Sequence, residues 1–370
     1  MNHTTGRMVV KLGTSTLTGG GKKLSAARLV DLARQITALQ AGGTEVVLVS
    51  SGAIAAGREA LGFPTLPKHI PAKQMLAAVG QPRLMALYEQ LFAIYDARVA
   101  QVLLTRADLA DRRRYLNARN TFDALLKQRV LPVVNENDTL AVEEIRFGDN
   151  DNLSAQVANL IEADLLVLLT DQDGLYTADP RSDPTAELIR EVAPEPFSET
   201  LWAAAGGSTT GLGTGGMVTK LQAADLARHG GTTVVIAQGA WPDVLMRLAA
   251  GESLGTRVLP VVNKLEARKR YILSGSRGAA ELRVDAGAAR ALARGGSLLP
   301  AGLTQVSGTF ERGDTLRVSG PDGRALAVGL SSYPSEDLEK LCGKHSNEIE
   351  GILGYTFGDE AVHRNNMVLV

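Results

Sequence analysis

Two segments of this chain carry the residue types that hold phosphate. The first is Gly211-Leu212-Gly213-Thr214-Gly215-Gly216-Met217-Val218-Thr219-Lys220, a glycine-rich run ahead of an expected helix with Thr219 and Lys220 in its first turn. Backbone N–H groups, a helix N-terminus and a cation can converge on an anion there. The second, Lys11-Leu12-Gly13-Thr14-Ser15, sits at the end of an expected strand, where a lysine can set a compact charge on a phosphate oxygen. Two such sites in one chain suggest phosphoryl transfer, a reaction catalysed mainly by positioning and electrostatics. Familiar short motifs do not account for the glycine run. Gly211, Gly213 and Gly216 match G-x-G-x-x-G by spacing, yet residues 203–210 read as a loop where a dinucleotide fingerprint needs a strand. Met217 stands where a Walker A loop needs lysine.

Four further polar segments follow or precede expected elements: residues 50–57 with Ser51 and Gly52, Asn135-Glu136-Asn137-Asp138, Gly148-Asp149-Asn150-Asp151-Asn152, and Thr170-Asp171-Gln172-Asp173-Gly174. Small residues at 50–57 let a backbone approach a ligand closely. The two acid/amide clusters suit an ammonium group, a metal ion, or the orientation of lysines. Each segment also has a plainer reading: a solvated lysine in a turn, a tightly packed turn, or Asn150 or Asp151 as an ordinary helix cap. The five histidines and Cys342 form no zinc pattern, no G-x-S-x-G elbow occurs, and the D-x-D-G spacing lacks the remaining ligands of a calcium loop.

The elements that must position these groups alternate. Residues 8–12, 46–49, 99–104, 130–134, 165–169 and 233–237 read as buried strands, and 26–40, 152–163 and 217–229 as helices between strands. This is the α/β pattern of a mostly parallel sheet sandwiched by helices, with ligands expected at the carboxyl ends of the strands. After about residue 269 the strands become short and closely spaced, at 281–284, 304–306, 315–318 and 325–330, which predicts a small, mostly-β domain. The division is expected at 1–265 for the first domain, 278–356 for the second and 357–370 for a C-terminal tail. With 370 residues and 45% hydrophobic content, two cores are affordable in size. The net charge of −1 calls for neither nucleic acid nor an anionic membrane, and a single cysteine excludes an intrachain disulfide. With no apolar run near 18 residues and no signal-peptide pattern, the expected location is the cytoplasm.

Taken in order, the segments 10–15, 51–57, 135–138, 148–152, 169–171 and 213–217 resemble the amino-acid kinase family, and the C-terminal region resembles a PUA domain. The resemblance spans almost the whole chain. It implies an ATP- and Mg²⁺-dependent transfer of phosphate to the side-chain carboxylate of L-glutamate, the first step of proline biosynthesis. It further implies that Lys11, Lys220 and Asp151 are catalytic, with Asp151 orienting the two lysines. The nucleotide would meet Lys11, Thr170, Asp171, Thr214, Gly215, Gly216, Met217, Val218, Thr219 and Lys220, and glutamate would meet Ser51, Asp138 and Asn150. No residue is assigned as a metal ligand. A homo-oligomer (dimer or tetramer), feedback inhibition by L-proline and a partner reductase that consumes the glutamyl phosphate are further implications of the resemblance. Two alternatives stand beside this reading. Other members of the family phosphorylate aspartate, N-acetylglutamate, carbamate or UMP, although Asp138 and Asn150 suit a free α-ammonium. PUA domains often bind RNA, but residues 278–370 hold nine Lys/Arg against twelve Asp/Glu, where RNA binding calls for a basic stripe.

Overall fold

The computed structural model describes residues 6–67, 69–141, 150–206, 216–275 and 280–370. They divide into two compact units, one within Met1–Leu109 and Ala118–Lys264, the other within Ala110–Asn117 and Leu265–Val370.

The first unit is built on an eight-stranded sheet of order β3-β4-β2-β1-β5-β7-β8-β6. Its strands are β1 (Arg7–Leu12), β2 (Glu45–Ser50), β3 (Val99–Leu104), β4 (Leu131–Glu136), β5 (Leu165–Thr170), β6 (Glu191–Val192), β7 (Thr233–Gln238) and β8 (Thr256–Val258). From β3 to β7 every pairing is parallel, and only β7 with β8 runs antiparallel. Strands covered on both faces read as unbroken apolar runs. Accordingly Met8, Val9, Val10 and Leu12 of β1 and Leu166 to Leu169 of β5 are fully buried. The register pairs Lys11 with Val49 and Leu168, and Leu12 with Ser50 and Leu169, so three polar loops leave the sheet side by side.

Two helices differ from expectation. The helix Asn150–Leu160 begins two residues earlier than its apolar pattern indicates, so Asn150 and Asp151 are helical residues and not caps. The helix Ile70–Ala93, 24 residues long, has no counterpart among the elements expected from the sequence. Gly80 and Pro82 lie inside it, and both residue types read as breakers in a sequence.

The second unit carries a five-stranded sheet, β10-β9-β11-β12-β13, from β9 (Glu281–Val284), β10 (Leu303–Ser307), β11 (Thr315–Ser319), β12 (Ala325–Leu330) and β13 (Met367–Leu369). Its core includes Leu282, Val284, Leu316, Val318, Ala327 and Tyr333. Residues 357–370, set apart above as a tail, hold the buried Ala361 and Val362 and end in β13, which pairs antiparallel with β12. The segment Ala110–Asn117 clusters with this unit as well: Arg112 donates to Thr315 Oγ1 at 2.6 Å, and Leu116 packs with Ile272, Leu330 and Val368.

Candidate active site

Lys11 is the penultimate residue of β1, and its side chain is buried. A cation in that position needs a counter-charge, and Asp151, in the first turn of the helix Asn150–Leu160, supplies it. Lys11 Nζ lies 2.6 Å from Asp151 Oδ1. The other carboxylate oxygen faces the opposite wall. Lys220 Nζ is 3.2 Å from Asp151 Oδ2, and Thr219 Oγ1 donates to the same oxygen at 2.7 Å. Burial acts to raise the Asp151 pKa, but the two lysine charges and the hydrogen bonds from Lys11 and Thr219 outweigh it and hold the carboxyl down at about 2. One buried anion therefore fixes two lysines that enter from different elements, at a net charge of +1.

These groups line a cavity of about 540 Å³. Lys11, Gly13, Ser15, Ser51 and Asp151 form one part of its wall, and Thr170, Asp171, Leu175, Tyr176, Gly216, Met217, Thr219 and Lys220 another. Gly13 follows β1 beside the lysine, and a Cβ there would make an ordinary contact with Lys11 Nζ at 3.5 Å. Gly216 precedes the helix Met217–His229 with φ of +89°, a conformation that favours glycine. That helix aims its N-terminus at the cavity. Thr219 turns back to Gly216 O at 2.9 Å, which sets the hydroxyl between the helix end and Asp151. The Val218 side chain points away, into a small apolar cluster with Leu175, Ala205 and Leu221. Thr170 Oγ1 donates to Asp171 Oδ1 at 3.1 Å, and Gln238 Nε2 donates to Asp171 O at 2.7 Å, fixing the turn after β5. Thr214 and Gly215 lie outside the described residues.

A second polar group adjoins the lysine pair. Asn150, the neighbour of Asp151, shares the two N–H groups of its Nδ2 among three acceptors, Ser51 Oγ at 3.0 Å, Ser50 O at 3.1 Å and Asn135 Oδ1 at 2.9 Å. Its amide thereby ties the loop after β2 to the end of β4. Gly52, next to Ser51, has φ of +107°, and a Cβ there would come within 2.9 Å of Leu17 Cδ1. Asp138, three residues beyond Asn135, is half-buried and has no partner among the described residues. Burial alone pushes its pKa up to about 6. A desolvated carboxylate of this kind is suited to receive a cation. Among the described residues no group of three or more His, Cys, Asp or Glu is arranged to hold a metal ion.

The Amino acid kinase family model matches residues 6–238, and the PUA domain model matches residues 280–353. This chain belongs to the amino acid kinase family. Its curated relatives include a glutamate 5-kinase of Shewanella amazonensis, 56% identical over 365 residues, covering 98% of this chain and 96% of the relative. One of Deinococcus radiodurans is likewise 56% identical, covering 98% of this chain and 100% of its own. A third, of Photobacterium profundum, is 56% identical over 364 residues. In this amino acid kinase the structure brings Lys11, Asp151, Thr219 and Lys220 together around one carboxylate, and Ser51 and Asn150 beside them. Sequence reasoning did not single out Asn135, Gln81 or Tyr88, which stand behind that second group. Asn135 Nδ2 donates to Gln81 Oε1 at 2.8 Å, and Tyr88 OH lies 2.6 Å from Ser50 Oγ. Gln81 and Tyr88 belong to the helix Ile70–Ala93, whose glycine and prolines mask it in the sequence, and Asn135 stands out there only as one member of a polar cluster.

Proposed function

We propose that this chain is a glutamate 5-kinase, which transfers the γ-phosphoryl group of ATP to the side-chain carboxylate of L-glutamate in the first step of proline biosynthesis. The observation that carries the mechanism is the grip of Asp151 on both Lys11 and Lys220 at the wall of one cavity. A glutamate side chain, with a reference pKa of about 4.3, is already an ionised nucleophile near neutral pH. No general base is required. One carboxylate oxygen forms a bond to the γ-phosphorus, the bond from that phosphorus to the bridging oxygen breaks, and ADP leaves with the electron pair. The obstacle is repulsion between an anion and a polyanion. Lys11 and Lys220 offset it, and Asp151 holds them at fixed positions so that little reorganisation accompanies the transfer. The backbone N–H groups in the first turn of the helix Met217–His229 add donors on the phosphate side.

Ser51, Asn150 and Asp138 take the acceptor: Asp138 pairs with the α-ammonium, and Ser51 and Asn150 orient the amino acid. Thr170, Asp171 and Met217 border the nucleotide. Mg²⁺ fits this donor set as an ion carried mainly by the phosphates, with Asp171 among the lining carboxylates, since Mg²⁺ is usually bound by one or two carboxylates plus substrate phosphates. When bound it supplies charge neutralisation. We further assign to this chain a cytoplasmic location, a homo-oligomeric state, inhibition by L-proline at or near the acceptor end, and a reductase that takes up the labile acyl phosphate. ADP formation with Mg·ATP across L-glutamate, L-aspartate, N-acetyl-L-glutamate, carbamate and UMP tests the reading. Turnover dependent on L-glutamate alone is expected. Turnover with another acceptor and none with glutamate would reassign the substrate.

A further inference from the structure

We propose that the helix Ile70–Ala93 sets the acceptor end of the site, and that the Tyr88 hydroxyl acts through Ser50 as a positioning group for Ser51. The inference rests on the assignment of Ser51 and Asn150 to the acceptor.

The helix meets the helix Ala53–Ala60, which begins right after the Ser51-Gly52 turn, backbone against backbone. A Cβ on Gly80 would come within 1.8 Å of Ala53 O, and one on Gly57 within 1.9 Å of Leu76 O. The crossing thereby holds the start of the Ala53–Ala60 helix at a fixed distance. Two side chains then reach from the long helix into the polar network. Gln81 Oε1 accepts from Asn135 Nδ2 at 2.8 Å, and Asn135 Oδ1 in turn accepts from Asn150 at 2.9 Å. Two turns on, Tyr88 OH lies 2.6 Å from Ser50 Oγ.

The direction of that last bond follows from the next one. Ser50 Oγ donates its only proton to Ser51 O at 2.9 Å, so it must accept from Tyr88. Burial pushes the phenol above its ordinary range, so it remains a donor throughout the working pH. Ser51 N donates to Leu12 O at 3.1 Å. The backbone N–H and C=O of Ser51 are thus both engaged, and its Oγ, which lines the cavity, is left to Asn150 and the ligand. Tyr88 otherwise sits in the apolar core with Leu48, Ala56, Leu84 and Phe92. Phenylalanine would occupy the same space without a polar atom to satisfy, and a buried hydroxyl is costly unless bonded. The hydroxyl therefore has a polar task, and the only partner it has among the described residues is the residue before Ser51.

Tyr88→Phe, Ser50→Ala and the double variant test the relay by steady-state kinetics, with whichever acceptor acid the unaltered enzyme turns over. Tyr88→Phe should raise the KM for the acid about fivefold, the usual scale of one neutral hydrogen bond, and leave kcat and the KM for ATP within about twofold. Ser50→Ala should do the same, and the double variant should exceed neither single one, because both cut one chain. Should Tyr88→Phe fail to fold, Ser50→Ala reads the link from its other end. Unchanged KM values for both substrates, or additive effects in the double variant, would overturn the relay alone. A rise in the KM for ATP instead of the acid would overturn the acceptor assignment of Ser51 and the relay with it.

Discussion

At the scale of single residues the site depends on a charge balance. Asp151 is buried between two lysines, and removing its charge takes away the anion that Lys11 and Lys220 share. Asp151→Asn and Lys220→Ala are each expected to lower kcat by about 10²–10³-fold, the range for losing one preorganised electrostatic group. Circular dichroism should remain that of the folded enzyme, and near-normal turnover of Lys220→Ala would remove that lysine from the mechanism. Asp138 gives a pH test. Its pKa of about 6 lies above the usual carboxylate range, so it gains a proton as the pH falls through 6 and loses the charge that would hold an ammonium group. From pH 7 to pH 5 the KM for glutamate should climb by roughly tenfold, while glutamate itself stays largely ionised. Asp138→Asn should show a high KM with little pH dependence over that range. A wild-type KM that stays flat would contradict the pairing. Lys11 and Lys220 were legible in the sequence because each lies within a few residues of glycine at the end of an expected strand or the start of an expected helix, whereas the role of Asp151 came only from the family resemblance. What the sequence did not contain was the geometry: that one carboxylate serves both lysines is a fact of three-dimensional register.

At the scale of elements, the strands were legible and the scaffold helix was not. Runs such as 165–169 are apolar throughout because both faces of β5 are covered, and that pattern survives in a single sequence. The helix Ile70–Ala93 was hidden because Gly80 and Pro82 are individually poor helix residues, kept for reasons that lie elsewhere in the fold. For Gly80 the reason is the crossing with Ala53–Ala60. Gly80→Ala would place a Cβ 1.8 Å from Ala53 O and 2.4 Å from Gly57 N, which forces the helices apart. We expect a loss of about 1–3 kcal/mol, as for other overpacked sites, read as a lower midpoint of thermal unfolding. An unchanged midpoint would mean that the crossing relaxes freely. The two-residue shift at the start of Asn150–Leu160 has a similar origin. Apolar periodicity marks where a helix packs, not where its first polar turn begins, and here the first turn holds Asn150 and Asp151, which meet Ser51 and the two lysines.

At the scale of the molecule, the chain combines a mostly parallel sheet that gathers polar loops at its strand ends with a separate small sheet. The contribution of Ala110–Asn117 to the second unit could not be foreseen, because it comes from far outside the C-terminal region in sequence. Nor could the membership of β13, which is only three residues long and lies after a run of turns. No described helix is long and apolar enough to cross a membrane. The C-terminal region holds more acidic than basic residues, so the full chain is expected to show no salt-dependent RNA binding by fluorescence anisotropy at low ionic strength. Binding that weakens steeply with added salt would give that domain a second role. Whether the cavity around Lys11, Asp151 and Lys220 activates the side chain of L-glutamate is decided by trapping the product. Purified protein is incubated with Mg·ATP, hydroxylamine and L-glutamate, and hydroxamate is measured. Glutamyl hydroxamate is expected in amounts matching the ADP formed. ADP without hydroxamate, or neither product from folded protein, would contradict that activation.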